Sequence, residues 1–236
     1  MAGGRLFLIP TTLGDSTLAA VMPQEVLQRV RILDYFVAEN PKTARAYLKQ
    51  VGTAKPLQEL HIETLNEHTP DEAVAGLTAP LRAGHDLGVM SEAGCPGIAD
   101  PGAKLVLYAH RHAIQVIPLV GPSSILLALM ASGLNGQSFV FHGYLPVADV
   151  ERDKALRELE KQSRRLGQTQ IFIETPYRGQ KLLHGILCAC ANTTLLCIAA
   201  ELTLAAEDIR TMTVAAWKKT PLQLDRRPAL FLLLAD

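Results

Sequence analysis

GVMSEAGCPGIADPG, residues 88–102, is the stretch from which the rest of the chain can be interpreted. A short apolar run, Leu87–Met90, leads into it, and a helical pattern at 103–111 follows it. Glycines, prolines and the acids Glu92 and Asp100 lie between the two, with neither Lys nor Arg. A strand that ends in a glycine-rich loop and continues into a helix is the usual setting of a ligand site in α/β proteins. The stretch therefore predicts a strand, a binding loop and a helix.

The composition of this loop argues against a phosphate site. It has neither the Gly-x-Gly-x-x-Gly spacing of a dinucleotide loop nor the terminal Lys-Ser/Thr of a P-loop. A loop of acids and bare backbone suits a ligand with cationic or neutral hydrogen-bonding groups. Taken alone, the stretch is also compatible with a tight structural turn.

Apolar runs alternate with helical patterns through the first half of the chain, which predicts a parallel sheet with crossover helices. The predicted strands are 5–9, 35–38, 61–65, 87–90 and 115–119. The predicted helices are 23–30, 42–50, 69–82 and 103–111. Carboxyl ends of parallel strands share one edge of a sheet, so we expect the Gly/Pro loops that follow three of these strands to converge. These loops are 10–14, 91–102 and 120–124.

The second half of the chain has fewer helices between its strands, which predicts a mixed sheet. Helices are predicted at 125–131, 149–166 and 176–191. Strands are predicted at 138–143, 170–174, 194–201, 208–213 and 229–235. The linker GLNGQ, residues 133–137, is a candidate domain boundary. The fold class is therefore α/β.

Charge gives no overall attraction to nucleic acid, because the formal net charge is zero and the pI is about 7.1. An RNA partner would have to meet a local basic surface. The helical pattern at 42–50 has no acid and places three basic residues on one face, Lys42, Arg45 and Lys49. The pattern at 149–166 contains six, Arg152, Lys154, Arg157, Lys161, Arg164 and Arg165. Ordinary solvation is the alternative interpretation of both faces.

Cysteine and histidine usage predicts neither a disulfide framework nor a metal site. No pair of the four cysteines has Cys-x-x-Cys spacing, and the seven histidines are scattered. The uncharged stretch 113–148 is interrupted by Pro118, Pro122 and glycines, so it does not read as a membrane span. We find no signal peptide pattern and expect a cytoplasmic protein.

Seven segments together resemble the tetrapyrrole methylase superfamily of S-adenosylmethionine-dependent methyltransferases. They are LFLIPTTLGD (6–15), AEN (38–40), MSEAGCPGIADPG (90–102), PLVGPSS (118–124), FHGYLP (141–146), IETPYR (173–178) and AAELT (199–203). Within the superfamily, the chain is most similar to the branch that contains the small-subunit ribosomal RNA (cytidine 2′-O) methyltransferases. RNA-modifying relatives typically read Ser-Asp-Ala-Gly where this chain has Ser91-Glu92-Ala93-Gly94.

The resemblance implies a two-domain protein, usually a homodimer, with S-adenosylmethionine in a cleft between domains 1–120 and 121–236. Its motifs assign cofactor contacts in the first domain and at the start of the second to Pro10, Gly14, Ser91, Glu92, Ala93, Gly94, Gly121, Ser123 and Ser124. Further contacts, which would close over the adenosine, are assigned to Phe172, Thr175 and Leu202. The helix opened by 121–124 would offer its N-terminal amides to the carboxylate of the cofactor.

Methyl transfer is a direct displacement, so positioning and desolvation supply much of the catalysis. A hydroxyl acceptor must also lose its proton. Candidate bases or orienting groups are Glu174, Tyr177, Arg178 and Glu201, with Glu39 and Glu92 less favoured. The expected acceptor is a ribose 2′-hydroxyl of ribosomal RNA. The alternatives are a tetrapyrrole or other small molecule as the acceptor, and an inactive regulatory module that binds S-adenosylmethionine.

Overall fold

The fold was obtained as a computed structural model, which describes residues 3–66 and 68–236. The chain divides into two compact units, Met1–Ser123 and Ser124–Asp236, called unit 1 and unit 2 below. The linker 133–137 therefore lies inside unit 2. Hydrogen bonds hold it there, since Thr169 Oγ1 donates to the Asn135 carbonyl at 2.9 Å, and Thr211 Oγ1 donates to the carbonyl of the preceding Ser132 at 2.6 Å.

Unit 1 is a parallel five-stranded sheet with crossover helices, as predicted. Its strands are β1 (Leu6–Ile9), β2 (Tyr35–Ala38), β3 (His61–Thr64), β4 (Leu87–Met90) and β5 (Val116–Pro118). Its helices are α1 (Leu18–Val21), α2 (Gln24–Arg31), α3 (Pro41–Val51), α4 (Asp71–Leu77), α5 (Ala79–Arg82) and α6 (Gly102–Arg111), with a 3₁₀ turn at Leu57–Glu59. The strand order across the sheet is β3-β2-β4-β1-β5.

The predicted helix over 69–82 is wrong in one respect, because it forms two short helices. Thr78, with φ −89° and ψ 3°, separates α4 from α5. Pro80 has no N–H group and so cannot donate to the carbonyl of Gly76 as a continuous helix requires. The proline therefore accounts for the break.

Both faces of the sheet in unit 1 are buried, which explains why its strands read as continuous apolar runs. Successive residues of β1 enter different cores, with Leu6 in one cluster and Phe7 in the other. All four residues of β4 are buried. A side chain at Gly88 would come within 2.4 Å of Ile9 Cδ1, so the neighbouring strand fills that space.

Strand β4 is the point at which the direction of the connections reverses. The chain leaving β4 crosses to β5, whereas the chains leaving its two neighbours, β1 and β2, run toward the β3 edge. Open α/β sheets form their ligand crevices beyond the carboxyl ends of strands at such a position. The topology thus places the loop 91–102 where a ligand site is expected.

Unit 2 contains the mixed sheet that the pattern predicted, in the order β6-β7-β10-β8-β9. Only β6 and β7 pair in parallel, and the other neighbours are antiparallel. The strands are β6 (Phe139–Tyr144), β7 (Thr169–Glu174), β8 (Leu195–Ala200), β9 (Asp208–Thr213) and β10 (Ala229–Leu234). The helices are α7 (Ser124–Ser132), α8 (Asp149–Leu166), α9 (Gly179–Ala189) and α10 (Val214–Trp217).

Candidate active site

The three Gly/Pro loops of unit 1 do converge at the carboxyl edge of the sheet. The Thr11 amide donates to the Gly94 carbonyl at 2.9 Å, and the Thr11 hydroxyl to the Ser91 carbonyl at 3.3 Å. The thiol of Cys95 lies 3.5 Å from the Pro122 carbonyl. These contacts join the loops after β1, β4 and β5 into one surface.

The turn at 91–94 is held from within. The Ser91 hydroxyl donates to the Gly94 carbonyl at 3.1 Å. Gly94 has a φ of +75°, which few residues with a side chain adopt, and a Cβ there would lie 3.3 Å from Leu13 Cδ2. Ala93, which lies between Ser91 and Gly94 in the turn, is exposed. The backbone of this turn is therefore fixed before any ligand arrives.

Pro10 and Gly121 are in direct contact, and this contact requires glycine. A Cβ at position 121 would lie 2.3 Å from Pro10 Cγ. The Pro10 carbonyl in turn accepts a hydrogen bond from the buried Tyr47 hydroxyl at 3.0 Å, and burial raises the pKa of that phenol. Gly14 lies exposed farther along the same loop.

Helix α3 also contributes to this edge, and the sequence interpretation missed it. Asn40 caps α3 by accepting from the Lys42 amide at 3.0 Å. Thr43 Oγ1 lies 2.9 Å from both Glu92 Oε1 and the Asn40 carbonyl. Together with Tyr47, Thr43 fixes the loops after β1 and β4 from one helix. The AEN motif ends at the capping Asn40 and was the available signal.

Asp100 organises the second half of the long loop. Its Oδ1 accepts from the Gly102 amide at 2.8 Å and from the Gly97 amide at 3.3 Å. Burial raises the pKa of Asp100, although the two amide hydrogen bonds act in the opposite direction. Asp100 thus holds the entry into α6.

In unit 2, Glu174 anchors Arg178. Its side chain is 4% exposed, and Oε1 accepts from Arg178 Nε at 2.9 Å, Arg178 Nη2 at 2.7 Å and the Thr175 amide at 2.7 Å. The hydrogen bond and charge of Glu174 raise the pKa of the Arg178 guanidinium. Tyr177 is 74% exposed, and the Arg178 Cζ atom lies 5.6 Å from its ring centroid. Arg178 and Tyr177 therefore form one pair, with Glu174 behind them.

Glu201 is likewise committed to an ion pair, in which its Oε2 accepts from Arg227 Nε at 2.7 Å. Its φ of +53° turns the chain after β8. Leu202 is buried, and so is Phe172, whose ring packs parallel to that of Phe231 in the core with centroids 6.0 Å apart. A ligand could meet Phe172 only through its backbone. Its side chain belongs to the core.

The two basic helices differ in their surfaces. Lys42, Arg45 and Lys49 are all exposed on α3. On α8 the prediction for Arg152 is wrong, because this side chain is buried and its Nη1 lies 3.0 Å from Asp149 Oδ1. The other five basic residues of α8 are exposed, namely Lys154, Arg157, Lys161, Arg164 and Arg165.

The described residues contain neither a metal-ligand cluster nor a membrane-spanning helix. Within 3–66 and 68–236, no group of three or more His, Cys, Asp or Glu side chains is placed to hold a metal ion. No helix in the same part of the chain is long and apolar enough to cross a membrane.

Comparison with known proteins gives a family and a set of relatives. The family model of the tetrapyrrole (corrin/porphyrin) methylases matches residues 5–217. A protein named ribosomal RNA small subunit methyltransferase I from Mesorhizobium japonicum is 34% identical over 214 residues, which is 89% of this chain and 68% of that protein. Its namesake from Escherichia coli O157:H7 is 31% identical over 219 residues, covering 92% and 72%.

Solved structures share the fold. The methyltransferase CobJ superposes with a TM-score of 0.63 at 16% identity, covering 98% of this chain and 94% of that one. Cobalt precorrin-4 methyltransferase, CbiF, gives a TM-score of 0.61 at 16% identity, with the same coverage. At these identities the likeness concerns the fold alone.

Proposed function

The chain belongs to the tetrapyrrole (corrin/porphyrin) methylases, and we propose that it methylates a ribose 2′-hydroxyl of ribosomal RNA. As a member of the family it is a methyltransferase whose methyl donor is S-adenosylmethionine. We infer the RNA acceptor from the similarity of about nine-tenths of the chain to relatives that are named for ribosomal RNA.

The groups at the carboxyl edge of β4 fit this cofactor chemically. The loops 10–14, 91–102 and 120–124 contain neither Lys nor Arg, and an acid, Glu92, lies in the turn at 91–94. Backbone carbonyls and a carboxylate suit the sulfonium and amino groups of S-adenosylmethionine. The hydroxyls of Ser123 and Ser124, and the amides that open α7, suit its carboxylate. When bound, the cofactor supplies an activated methyl group.

We propose that the residues of unit 1 present a rigid surface to the cofactor. Ser91, Gly94 and Thr11 fix the turn after β4, and Tyr47 fixes Pro10. A preformed site avoids the cost of ordering loops when the ligand binds, and displacement reactions depend strongly on such positioning. Glu92, which accepts a hydrogen bond from Thr43, would be the charged contact of this surface.

In unit 2, we assign contact with the acceptor to Arg178 and Tyr177, because the solvent-accessible part of this cluster belongs to them. Glu174 is a positioning residue, since its Oε1 already accepts two hydrogen bonds from Arg178. A fixed guanidinium offers paired donors to a phosphate or to an acceptor hydroxyl. Glu201 stabilises the turn after β8 through its ion pair with Arg227. We further assign contact with the adenosine to Thr175, which follows β7, and to Leu202, which lies just after β8.

The basic face of α3 is the proposed RNA contact. Lys42, Arg45 and Lys49 are exposed on a helix that contains no acid. The five exposed basic residues of α8 alternate with acids and form a weaker second surface. Each phosphate contact adds to the salt dependence of binding. We further propose that the protein is cytoplasmic and forms a homodimer. Sedimentation of the purified protein would test the dimer.

Transfer of labelled methyl from S-adenosylmethionine would test the acceptor class. Small-subunit RNA from cells that lack the protein is one acceptor, and a precorrin-type tetrapyrrole is the other. The proposal predicts label on RNA and none on the tetrapyrrole. The reverse would give the enzyme a small-molecule acceptor. Binding of the cofactor without transfer to either would support the regulatory alternative.

A matched pair of variants locates the acceptor contact. Arg178→Ala should reduce methyl transfer to RNA while leaving S-adenosylmethionine binding within about twofold of the wild type. Lys219→Ala removes an exposed cation elsewhere in unit 2 and should change neither. Equal rates for the two variants would remove Arg178 from the mechanism.

A further inference from the structure

Unit 1 has a cavity at the amino edge of its sheet, opposite the loops described above. Its volume is about 970 Å³, and residues that precede β1, β2, β4 and β5 line it. Each residue of a strand advances the chain by about 3.3 Å, so the four-residue β4 separates this cavity from the loop 91–94 by roughly 13 Å. A ligand bound here would not occupy the proposed cofactor surface.

Stacked rings form two of the walls. Tyr35 contacts His85, with ring centroids 5.0 Å apart and the ring planes at 33°, and its ring also lies parallel to that of His61, outside the cavity lining, at 4.8 Å. Tyr108 stacks on His112 at 4.0 Å. His85 and His112 are exposed, whereas the two tyrosines are half-buried. Each stack therefore ends in an imidazole that presents ring surface to the cavity.

Among the described residues that line the cavity, Arg82 is a cation that is not paired with a carboxylate. Arg5 and Asp86 neutralise each other through two hydrogen bonds, of 2.6 and 3.1 Å, and Asp34 pairs with Lys55 at 2.6 Å. Arg82 is exposed and donates to the Tyr108 hydroxyl at 3.2 Å. Within the described residues, Arg82 therefore contacts a phenol rather than a carboxylate, so its charge can act on a ligand.

The floor of the cavity is fixed by close packing. The Gly4 amide donates to the Leu81 carbonyl at 3.0 Å, and the Arg5 amide to Asp86 Oδ1 at 2.9 Å. A Cβ at Gly4 would lie 1.8 Å from the His85 carbonyl oxygen. Only glycine lets these two backbone segments approach so closely, and their contact sets the position of His85.

We propose that this cavity binds a nucleotide unit, with its base stacked on His85 or His112 and its phosphate at Arg82. Unpaired bases are commonly recognised by stacking on His, Tyr or the guanidinium plane of Arg. The same chemistry is offered by an unpaired nucleotide in an RNA strand and by a free nucleotide. The site is separate from the proposed methyl-transfer site and is tested by binding alone.

The test is equilibrium binding in the absence of S-adenosylmethionine. One probe is a labelled single-stranded RNA hexamer, followed by fluorescence polarisation, and the other is a ribonucleoside monophosphate, followed by calorimetry. The variant His85→Ala/His112→Ala should weaken binding of at least one probe about tenfold, since it removes the stacking surface. Arg82→Ala should weaken the same probe and, for RNA, lower the salt slope by about 0.7.

Controls separate this site from general effects. His110→Ala removes an exposed imidazole that does not line the cavity, and Lys219→Ala removes an exposed cation in unit 2. Both should bind like the wild type, and thermal unfolding should show all variants folded. Loss for the hexamer alone assigns the site to an RNA strand, and loss for the monophosphate assigns it to a free nucleotide.

Two results would overturn the proposal. One is that neither probe binds the wild type at millimolar concentration. The other is that the cavity variants bind as tightly as the control variants. Methyl transfer to RNA is measured separately with the wild type, so failure of that reaction is distinguishable from failure of this site.

Discussion

Replacing Gly121 by alanine tests the proposed cofactor surface at its tightest contact. The new Cβ would lie 2.3 Å from Pro10 Cγ and 2.5 Å from Pro10 Cβ. Carbon atoms in contact normally lie about 3.5–4.0 Å apart, so the loops after β1 and β5 must separate by roughly 1 Å. Pro10 cannot easily move away, because its ring is rigid and Tyr47 holds its carbonyl. Overpacking of this kind typically costs about 1–3 kcal/mol.

The expected outcome of Gly121→Ala is a loss of both stability and cofactor affinity. Urea unfolding should show the free energy of unfolding lower by about 1–3 kcal/mol, and calorimetry should show S-adenosylmethionine binding at least tenfold weaker. Gly136→Ala is the matched control, because nothing lies within 4 Å of a Cβ at that position. If the two variants unfold alike and bind the cofactor equally, the loops are not in the close contact described and the site is misplaced.

Three further changes have defined outcomes. Tyr47→Phe leaves the buried Pro10 carbonyl without its donor, and denaturation should show about 1–2 kcal/mol less stability, against no change if the bond contributes nothing. Arg5 lowers the pKa of Asp86, so this pair stabilises the fold above the unfolded pKa near 4 and the stability is lost as pH falls through the lower folded value. Asp86→Asn should flatten that acid-side slope in pH-dependent unfolding, and an unchanged slope would assign it to other carboxylates. Arg45→Glu should weaken RNA binding and reduce its salt dependence in polarisation titrations, whereas an unaltered salt slope would exclude this face of α3.

Elements with strong local signals were predictable from sequence. The bounds of α8 agree with its pattern, and Gly167 ends the helix with a φ of +59°. Strand β4 agrees as well, since four apolar residues meet a Gly/Pro loop. The four-residue helices α1 and α10 were missed, because one turn is too short to show a period.

The site was predictable from the sequence only where glycines and prolines mark a loop. Glycines and prolines identified the three loops, and the sharing of one edge by parallel strand ends implied that they meet. The contacts of Thr43 with Glu92 and of Tyr47 with Pro10 were not predictable, because they join residues 49 and 37 positions apart. Such pairs arise from the packing of α3 on the sheet, which has no local signature.

The burial of Arg152 did have a signal in the sequence. It lies four and seven positions before Leu156 and Leu159, which face the core of unit 2. Helical periodicity places all three side chains on one face. Counting basic residues along α8 without their helical positions led to the wrong interpretation. The face of a helix, rather than its composition, decides which charges are available to a partner.

The position of the transferred methyl group distinguishes ribose methylation of RNA from the other acceptors. Small-subunit RNA from cells lacking the protein would be incubated with the purified chain and labelled S-adenosylmethionine, then digested to nucleosides and separated. If the acceptor is a ribose 2′-hydroxyl, the label is expected in a 2′-O-methylated nucleoside and, after alkaline hydrolysis, in an alkali-resistant dinucleotide. Label on a base, or no label on RNA at any enzyme concentration, would contradict this acceptor.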